Sequence, residues 1–283
     1  MQLHLGDKYA TIWLHLNYEV YKEKKMEKEY SVFEESDPGL VEAAQSGEVN
    51  ACYYLSGIYL GAVGKYGAQY FDPQKAVFWA EKCRESGTEE GLFYYANMLS
   101  LLGHIERKSG AFDEKTLNYY LSVRNTLIKL QNSNYDQSKV AKLYFENELD
   151  LGWILVSVST VSFYDPDSAK VHFNNAYEIV KCSDVLWGLG IVALKTDDYR
   201  VYFEYGIQAI NTNDWFDEEM HTQCLRMMGL VLKDDSFSFV GIKKDLERSY
   251  EYMSKAAELG DKRAQQELVH YKRGLFGQIK YIE

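Results

Sequence analysis

Three prolines in 283 residues leave the chain few forced breaks. Proline interrupts helix interiors and central strands, so its scarcity favours long helices. Four cysteines, Cys52, Cys83, Cys182 and Cys224, stand far apart with no CxxC pair. That spacing signals neither a zinc site nor a small disulfide framework, and it fits the reduced thiols of a cytoplasmic protein. No apolar run approaches the roughly 18 residues of a membrane-spanning helix. The longest candidate, Trp153 to Phe163, is broken by Ser157, Ser159, Thr160 and Ser162. Met1 to Tyr21 carries Asp7, Lys8, His15 and Glu19 where a signal peptide needs an unbroken apolar stretch. Positive charge is also short: 31 Lys and Arg against 42 Asp and Glu give a net charge of −11. Phosphate neutralisation by basic side chains supplies essentially all non-specific nucleic-acid affinity, so nucleic acid is excluded as a partner class and a basic protein is favoured.

What the chain does have is apolar and aromatic bulk: 46% hydrophobic residues, 15% aromatic, 24 tyrosines. A disordered acidic chain lacks the apolar surface that offsets ordering entropy, and this composition does not fit one. At about 150 residues per domain the length admits one large unit or two small ones.

A period organises two segments. Ala51, Leu55, Tyr59, Asp72, Lys75, Ala76, Trp79, Lys82 and Gly87 recur in order as Cys224, Met228, Leu232, Asp245, Arg248, Ser249, Tyr252, Lys255 and Gly260. Both run 21 residues from the first member to the aspartate and 15 from the aspartate to the glycine. Four more reach the small residue that opens the next unit, Gly91 or Ala264, so one unit is 40 residues. A fixed period in the range of about 20–50 residues is the mark of stacked repeats. Ala51, Leu55 and Tyr59 lie on one face of a first helix. Asp72 and Asp245 are placed to cap a second one. All three prolines follow an aspartate, in Asp37-Pro38, Asp72-Pro73 and Asp165-Pro166, which joins a capping oxygen to a preset first helical residue. Gly87 and Gly260 stand where a left-handed residue ends the second helix.

On these residues the chain resembles the Sel-one-like (Sel1-like) repeat family, a relative of the tetratricopeptide repeat. Asp72-Pro73-Gln74-Lys75-Ala76 with Trp79, Lys82 and Gly87 carries the likeness, as does Tyr252 with Lys255-Ala256-Ala257-Glu258-Leu259-Gly260 and Ala264. Glu42-Ala43-Ala44-Gln45-Ser46-Gly47 before Ala51 matches the same helix ending. The match is specific over 43–99 and 224–268; Ser56 departs from it where the first helix usually has glycine, a glycine that Gly229 keeps. The resemblance implies superhelical stacks of antiparallel helix pairs that bind proteins, with no shared catalytic residues.

Elsewhere the signal is weaker. Asp165-Pro166, Ala169, Phe173 and Ala176 echo a second helix, though Val180 stands where its closing glycine is expected. Val185 to Leu194 and Asp198 to Ile210 read as a degenerate pair, Leu117 to Leu130 and Val140 to Leu155 as longer helices, and Tyr9 to Glu29 as an exposed one. Gly274 to Glu283, with two glycines, reads as irregular. The expected organisation is one all-α solenoid domain over 1–283, with a helical cap at 1–37, clear repeats at 38–104 and 216–272, degenerate repeats at 105–215 and a tail at 273–283.

Chemistry is sparse. Gly188-Leu189-Gly190-Ile191-Val192-Ala193 has the loose dinucleotide-loop spacing without the flanking strand, and small residues for helix packing explain it better. Glu218 and His221 form one ExxH, but a di-iron bundle needs a second copy, which the other histidines do not supply. No P-loop, GxSxG or HExxH occurs. The expectation is a protein that is not an enzyme and uses no metal or cofactor.

Partner contacts are sought among aromatic residues, because rigid rings bring much area at low entropic cost. The loop Gly61 to Phe71 offers Tyr66, Tyr70 and Phe71 among three glycines. Tyr53, Tyr54, Tyr94 and Tyr95 fall on first helices, which tend to line a concave side, and one of each adjacent pair must turn away from the core. Asp214, Trp215, Asp217 and Glu218 make an acidic aromatic edge, although acids there also suit a helix start. The function read from this is protein binding on a concave face. Its finer form is an immunity or inhibitor protein against a basic toxin or effector, with a regulatory or scaffolding adaptor, or an enzyme with a scattered groove site, as alternatives.

Overall fold

The computed structural model describes residues 38–62, 70–109, 113–157, 163–274 and 277–282. The helix expected at Tyr9 to Glu29 and the aromatic residue Tyr66 lie outside them. The described chain forms two compact units, one ending at Asn147 and one beginning at Glu148.

In the first unit α1 (Pro38–Gln45), α2 (Val49–Tyr59), α3 (Pro73–Glu85), α4 (Glu89–Ser109) and α5 (Glu114–Gln131) each pack on the next, and α2 also meets α4. Helix α6 (Gln137–Val156) follows and continues into the second unit. There α7 (Pro166–Ile179), α8 (Ser183–Lys195), α9 (Tyr199–Thr212), α10 (Glu218–Lys233), α11 (Leu246–Glu258) and α12 (Lys262–Leu268) again pack in sequence, with α8 touching α10. First helices of successive pairs thus stand beside one another. This is an all-α architecture of paired helices of the α-solenoid type.

The punctuation does what its chemistry requires. Asp72 accepts from the N–H groups of Gln74 and Lys75, Asp165 from Ser168 and Asp245 from Arg248. Pro73 and Pro166 open their helices. Gly87 and Gly260 have φ of 68° and 96°, a left-handed backbone in which a Cβ is strained. Helix α7 ends without glycine because Val180 leaves in extended backbone, φ −138°.

Each unit has its own core. Leu55, Ile58, Cys52, Cys83 and Tyr70 are buried in the first; Trp187, Tyr202, Leu225, Met228 and Met253 in the second. A fully buried side chain of this size contributes about 1.5–3 kcal/mol. All four cysteines are buried and free, and burial pushes the Cys83 and Cys182 thiols up to about 12, leaving them protonated.

The departure at Ser56 is compensated across the repeat. Ser56 Oγ donates to the carbonyl of Ala76, joining α2 to α3 at 2.8 Å. At the same positions the second repeat has Gly229 and Ser249, and there the hydroxyl comes from the other helix: Ser249 Oγ donates to the Gly229 carbonyl at 2.7 Å. A Cβ on Gly229 would meet Met253 Cγ at 3.1 Å, where the first repeat holds the smaller Ala80. The glycine makes room for methionine.

One expectation is corrected. Instead of an irregular tail, β1 (Tyr271–Arg273) and β2 (Ile279–Tyr281) form an antiparallel hairpin. Tyr271 and Ile279 enter the second core, Tyr271 OH meets Ser249 Oγ at 2.7 Å, and the Ile279 N–H donates to Glu247. The α10–α11 pair supplies the apolar surface that a short hairpin lacks in isolation.

Candidate functional site

Where α2 and α4 stand side by side, half-buried aromatic rings meet polar and acidic side chains. Asn50 and Tyr53 are one turn apart on α2, and Glu90, Tyr94 and Asn97 mark one stripe of α4. The rings of Tyr53 and Tyr94 stack at 4.0 Å with 15° between planes. Tyr94 OH shares its proton between Glu90 Oε1 at 2.8 Å and Asn50 Oδ1 at 3.1 Å. Asn97 Nδ2 donates to Tyr53 OH at 2.8 Å. Phe93 extends the surface to Tyr135, just before α6, at 5.0 Å, and the Asn134 N–H donates to Glu89.

Carboxylates act on the phenols of this face, and one of them, Asp136, is itself paired with Lys139 at 3.9 Å. Burial and Glu90 raise the Tyr94 phenol, and burial, Glu90 and Asp136 raise that of Tyr135. Burial raises Tyr53 as well. Neutral rings beside the Glu89 and Glu90 carboxylates make a surface suited to ammonium and guanidinium groups.

The adjacent tyrosines are now divided. Tyr54 is 40% exposed and Tyr53 half-buried in the stack. Tyr94 turns outward while Tyr95 turns in, with the Arg84 guanidinium 5.5 Å from its ring centre. Tyr95 and Tyr70 are buried, which withdraws both from partner contact, and Phe71 is half-buried. Asn50, Glu90, Phe93, Asn97 and Tyr135 were not among the residues expected from sequence. A signal existed: tyrosines at 53, 94 and 135 recur at equal steps of 41 residues.

On the other side of Tyr95 a cleft of about 570 Å³ lies between α3, α4 and α5. Two of its three carboxylates are engaged, and the third, Glu114, stands exposed at the start of α5. Glu81 pairs with Arg84, and Asp113 caps α5 through the Thr116 N–H.

In the second unit the acidic edge is a structural clasp. Asp214 Oδ1 accepts from the Ser183 N–H and Oγ, 2.8 Å each. Asp217 caps α10 by accepting from Glu219 and Met220. Buried Asp184 accepts from the Phe216 and Asp217 N–H groups at 2.8 and 3.1 Å. Desolvation outweighs those two bonds and pushes its carboxyl up to about 6. Trp215 stacks on His221 at 4.9 Å, and burial lowers the His221 imidazole. Of the expected edge only Glu218 keeps an exposed carboxylate with no bond in the clasp.

His172 Nδ1 lies 2.7 Å from Glu148 Oε2, which also accepts from Asn175. The pair satisfies a buried carboxylate between α6 and α7. Among the described residues no group of three or more His, Cys, Asp or Glu could hold a metal ion, and no helix is long and apolar enough to cross a membrane. Gly188 and Gly190 lie inside α8, and a Cβ on Gly188 would fall 2.3 Å from the Phe173 ring. Close packing accounts for them.

Paired helices with capped starts, left-handed glycine ends and an aromatic face on the first helices define a helix-repeat protein. Residues 49–87 and 223–261 match the model of the Sel1 repeat, covering the α2–α3 and α10–α11 pairs. The chain carries Sel1 repeats at these two places, and such repeats are protein–protein interaction modules, typically without catalysis of their own. No curated protein matches the chain.

Proposed function

We propose that this protein binds a basic partner protein through the face built by Tyr53, Tyr94, Phe93, Tyr135, Glu89 and Glu90. The observation that carries the reading is geometric: the Tyr53 and Tyr94 rings stack at 4.0 Å, and the Tyr94 hydroxyl is held by the Glu90 carboxylate at 2.8 Å. Cationic side chains gain both ring-face and carboxylate contacts there. The net charge of −11 adds long-range attraction for the same class of partner.

The finer reading is an immunity or inhibitor protein that occupies a toxin or effector enzyme, acting in the cytoplasm; a regulatory adaptor would use the same face. What separates them is whether the partner has an activity that binding blocks. The test is co-expression with the product of an adjacent reading frame, followed by purification and a growth assay. A stable complex and relief of toxicity support the inhibitor, and a complex without toxicity supports the adaptor. A partner retained equally by the Glu89→Gln/Glu90→Gln/Tyr94→Ala variant contradicts the face itself.

A further inference from the structure

The β-hairpin presents chemistry opposite in sign to the face of the first unit. In its register Lys272 lies opposite Lys280, Tyr271 opposite Tyr281 and Arg273 opposite Ile279. The Gly274 N–H donates to the Gln278 carbonyl and the Ile282 N–H to that of His270, both at 2.9 Å. Alternation along the ladder then makes 272 and 280 a hydrogen-bonded pair and puts the side chains of Lys272, Lys280 and Ile282 on one side. Tyr271 and Ile279 occupy the other side and enter the core.

The outer side is open. Lys272 and Lys280 are exposed, and Ile282 is 45% exposed. Between 262 and 282 five basic residues face a single acid, Glu267, in a chain of net charge −11. Glu267 is already engaged by Lys233 Nζ at 3.0 Å and Tyr281 OH at 2.7 Å. Among the described residues no carboxylate pairs with either lysine. Like charges directly opposite destabilise a ribbon, and a two-stranded ribbon has little stability to spare. An anionic occupant removes that repulsion.

The occupant's class follows from the edge as well as the charge. Because 273 and 279 form a non-hydrogen-bonded pair, the N–H and C=O of Arg273 point away from β2, along the outer edge of β1. An extended backbone can pair with that edge, which a lipid headgroup cannot. We propose that the outer face and β1 edge of the hairpin form a second docking surface, for an acidic polypeptide segment held by Lys272 and Lys280 with Ile282 as its apolar contact.

The test is calorimetric titration of the full-length protein with poly-L-glutamate at low salt. The expected result is binding that weakens as salt rises and falls at least tenfold in Lys272→Glu/Lys280→Glu. The control Lys129→Glu/Lys142→Glu, with the same charge change on exposed lysines of the first unit, stays within twofold. Lys272→Glu alone places opposite charges across the ribbon, so its melting temperature rises by about 1–3 °C while binding falls. That opposition of sign separates docking from unfolding. Equal loss in the control, unchanged binding in the hairpin variant, or binding to anionic phosphatidylserine vesicles but not to poly-L-glutamate would each overturn the proposal.

Discussion

Replacing Ser249 by alanine probes how the second repeat is joined internally. Ser249 is fully buried, its hydroxyl donates to the Gly229 carbonyl, and it is the partner of Tyr271 OH. Losing one hydrogen bond costs about 0.5–1.5 kcal/mol, and leaving the buried Tyr271 hydroxyl unsatisfied adds about 1–3 kcal/mol. The expected destabilisation is therefore roughly 2–4 kcal/mol. Ser56→Ala in the first repeat breaks one bond to a carbonyl and orphans no second hydroxyl, so about 1 kcal/mol is expected. Urea unfolding followed by circular dichroism and tryptophan fluorescence reads both changes, with Trp187 buried beside the altered core. In the Tyr271→Phe background the cost of Ser249→Ala should shrink to about 1 kcal/mol, a coupling of roughly 1–3 kcal/mol. Equal costs for the two serines, or additive Ser249 and Tyr271 effects, would refute the reasoning.

Two further perturbations address the second unit. Gly188→Ala drives a methyl group into the rigid Phe173 ring at 2.3 Å and should cost about 1–3 kcal/mol by the same unfolding assay; a neutral outcome would show that α7 and α8 separate freely. Asp184, at about 6, sits above the ordinary value of about 3.9, so the folded state keeps its proton between about pH 4 and 6 while the unfolded state releases it. Its contribution to stability is full below about pH 4 and is lost as pH rises through 6. A carbon-13 titration of the carboxyl group should show a midpoint near 6, and a midpoint below 4 would mean that the Phe216 and Asp217 N–H groups outweigh burial.

The helix pairs were legible because their signals are local. A capping aspartate, joined to proline at α3 and α7 but not at α11, acts through the backbone within a few residues, so these three helices begin where the sequence places them. Even the degenerate pair at Val185 to Leu194 and Asp198 to Ile210 corresponds to α8 and α9. The hairpin was hidden because two three-residue strands carry almost no periodic pattern, and only the open core of α10 and α11 gives Tyr271 and Ile279 a place. The candidate site was half legible. Tyrosines on first helices were evident, but which of Tyr94 and Tyr95 faces out depends on where Arg84 and α3 pack. The acidic edge misled for a physical reason: Asp214 and Asp217 are acidic because backbone N–H groups need acceptors there, a demand set by Ser183 and α10 that is spatial and absent from local spacing.

The most direct test of the interaction face is the affinity of the captured partner for wild-type protein and for Glu90→Gln/Tyr94→Ala, measured at low and at physiological salt. The expected result is a loss of at least tenfold in the variant, with wild-type affinity falling as salt rises and the variant retaining the helical circular dichroism of wild type although its unfolding midpoint drops with the lost Tyr53 stack. Unchanged affinity in a folded variant would contradict the assignment of partner binding to the tyrosines and carboxylates of α2 and α4.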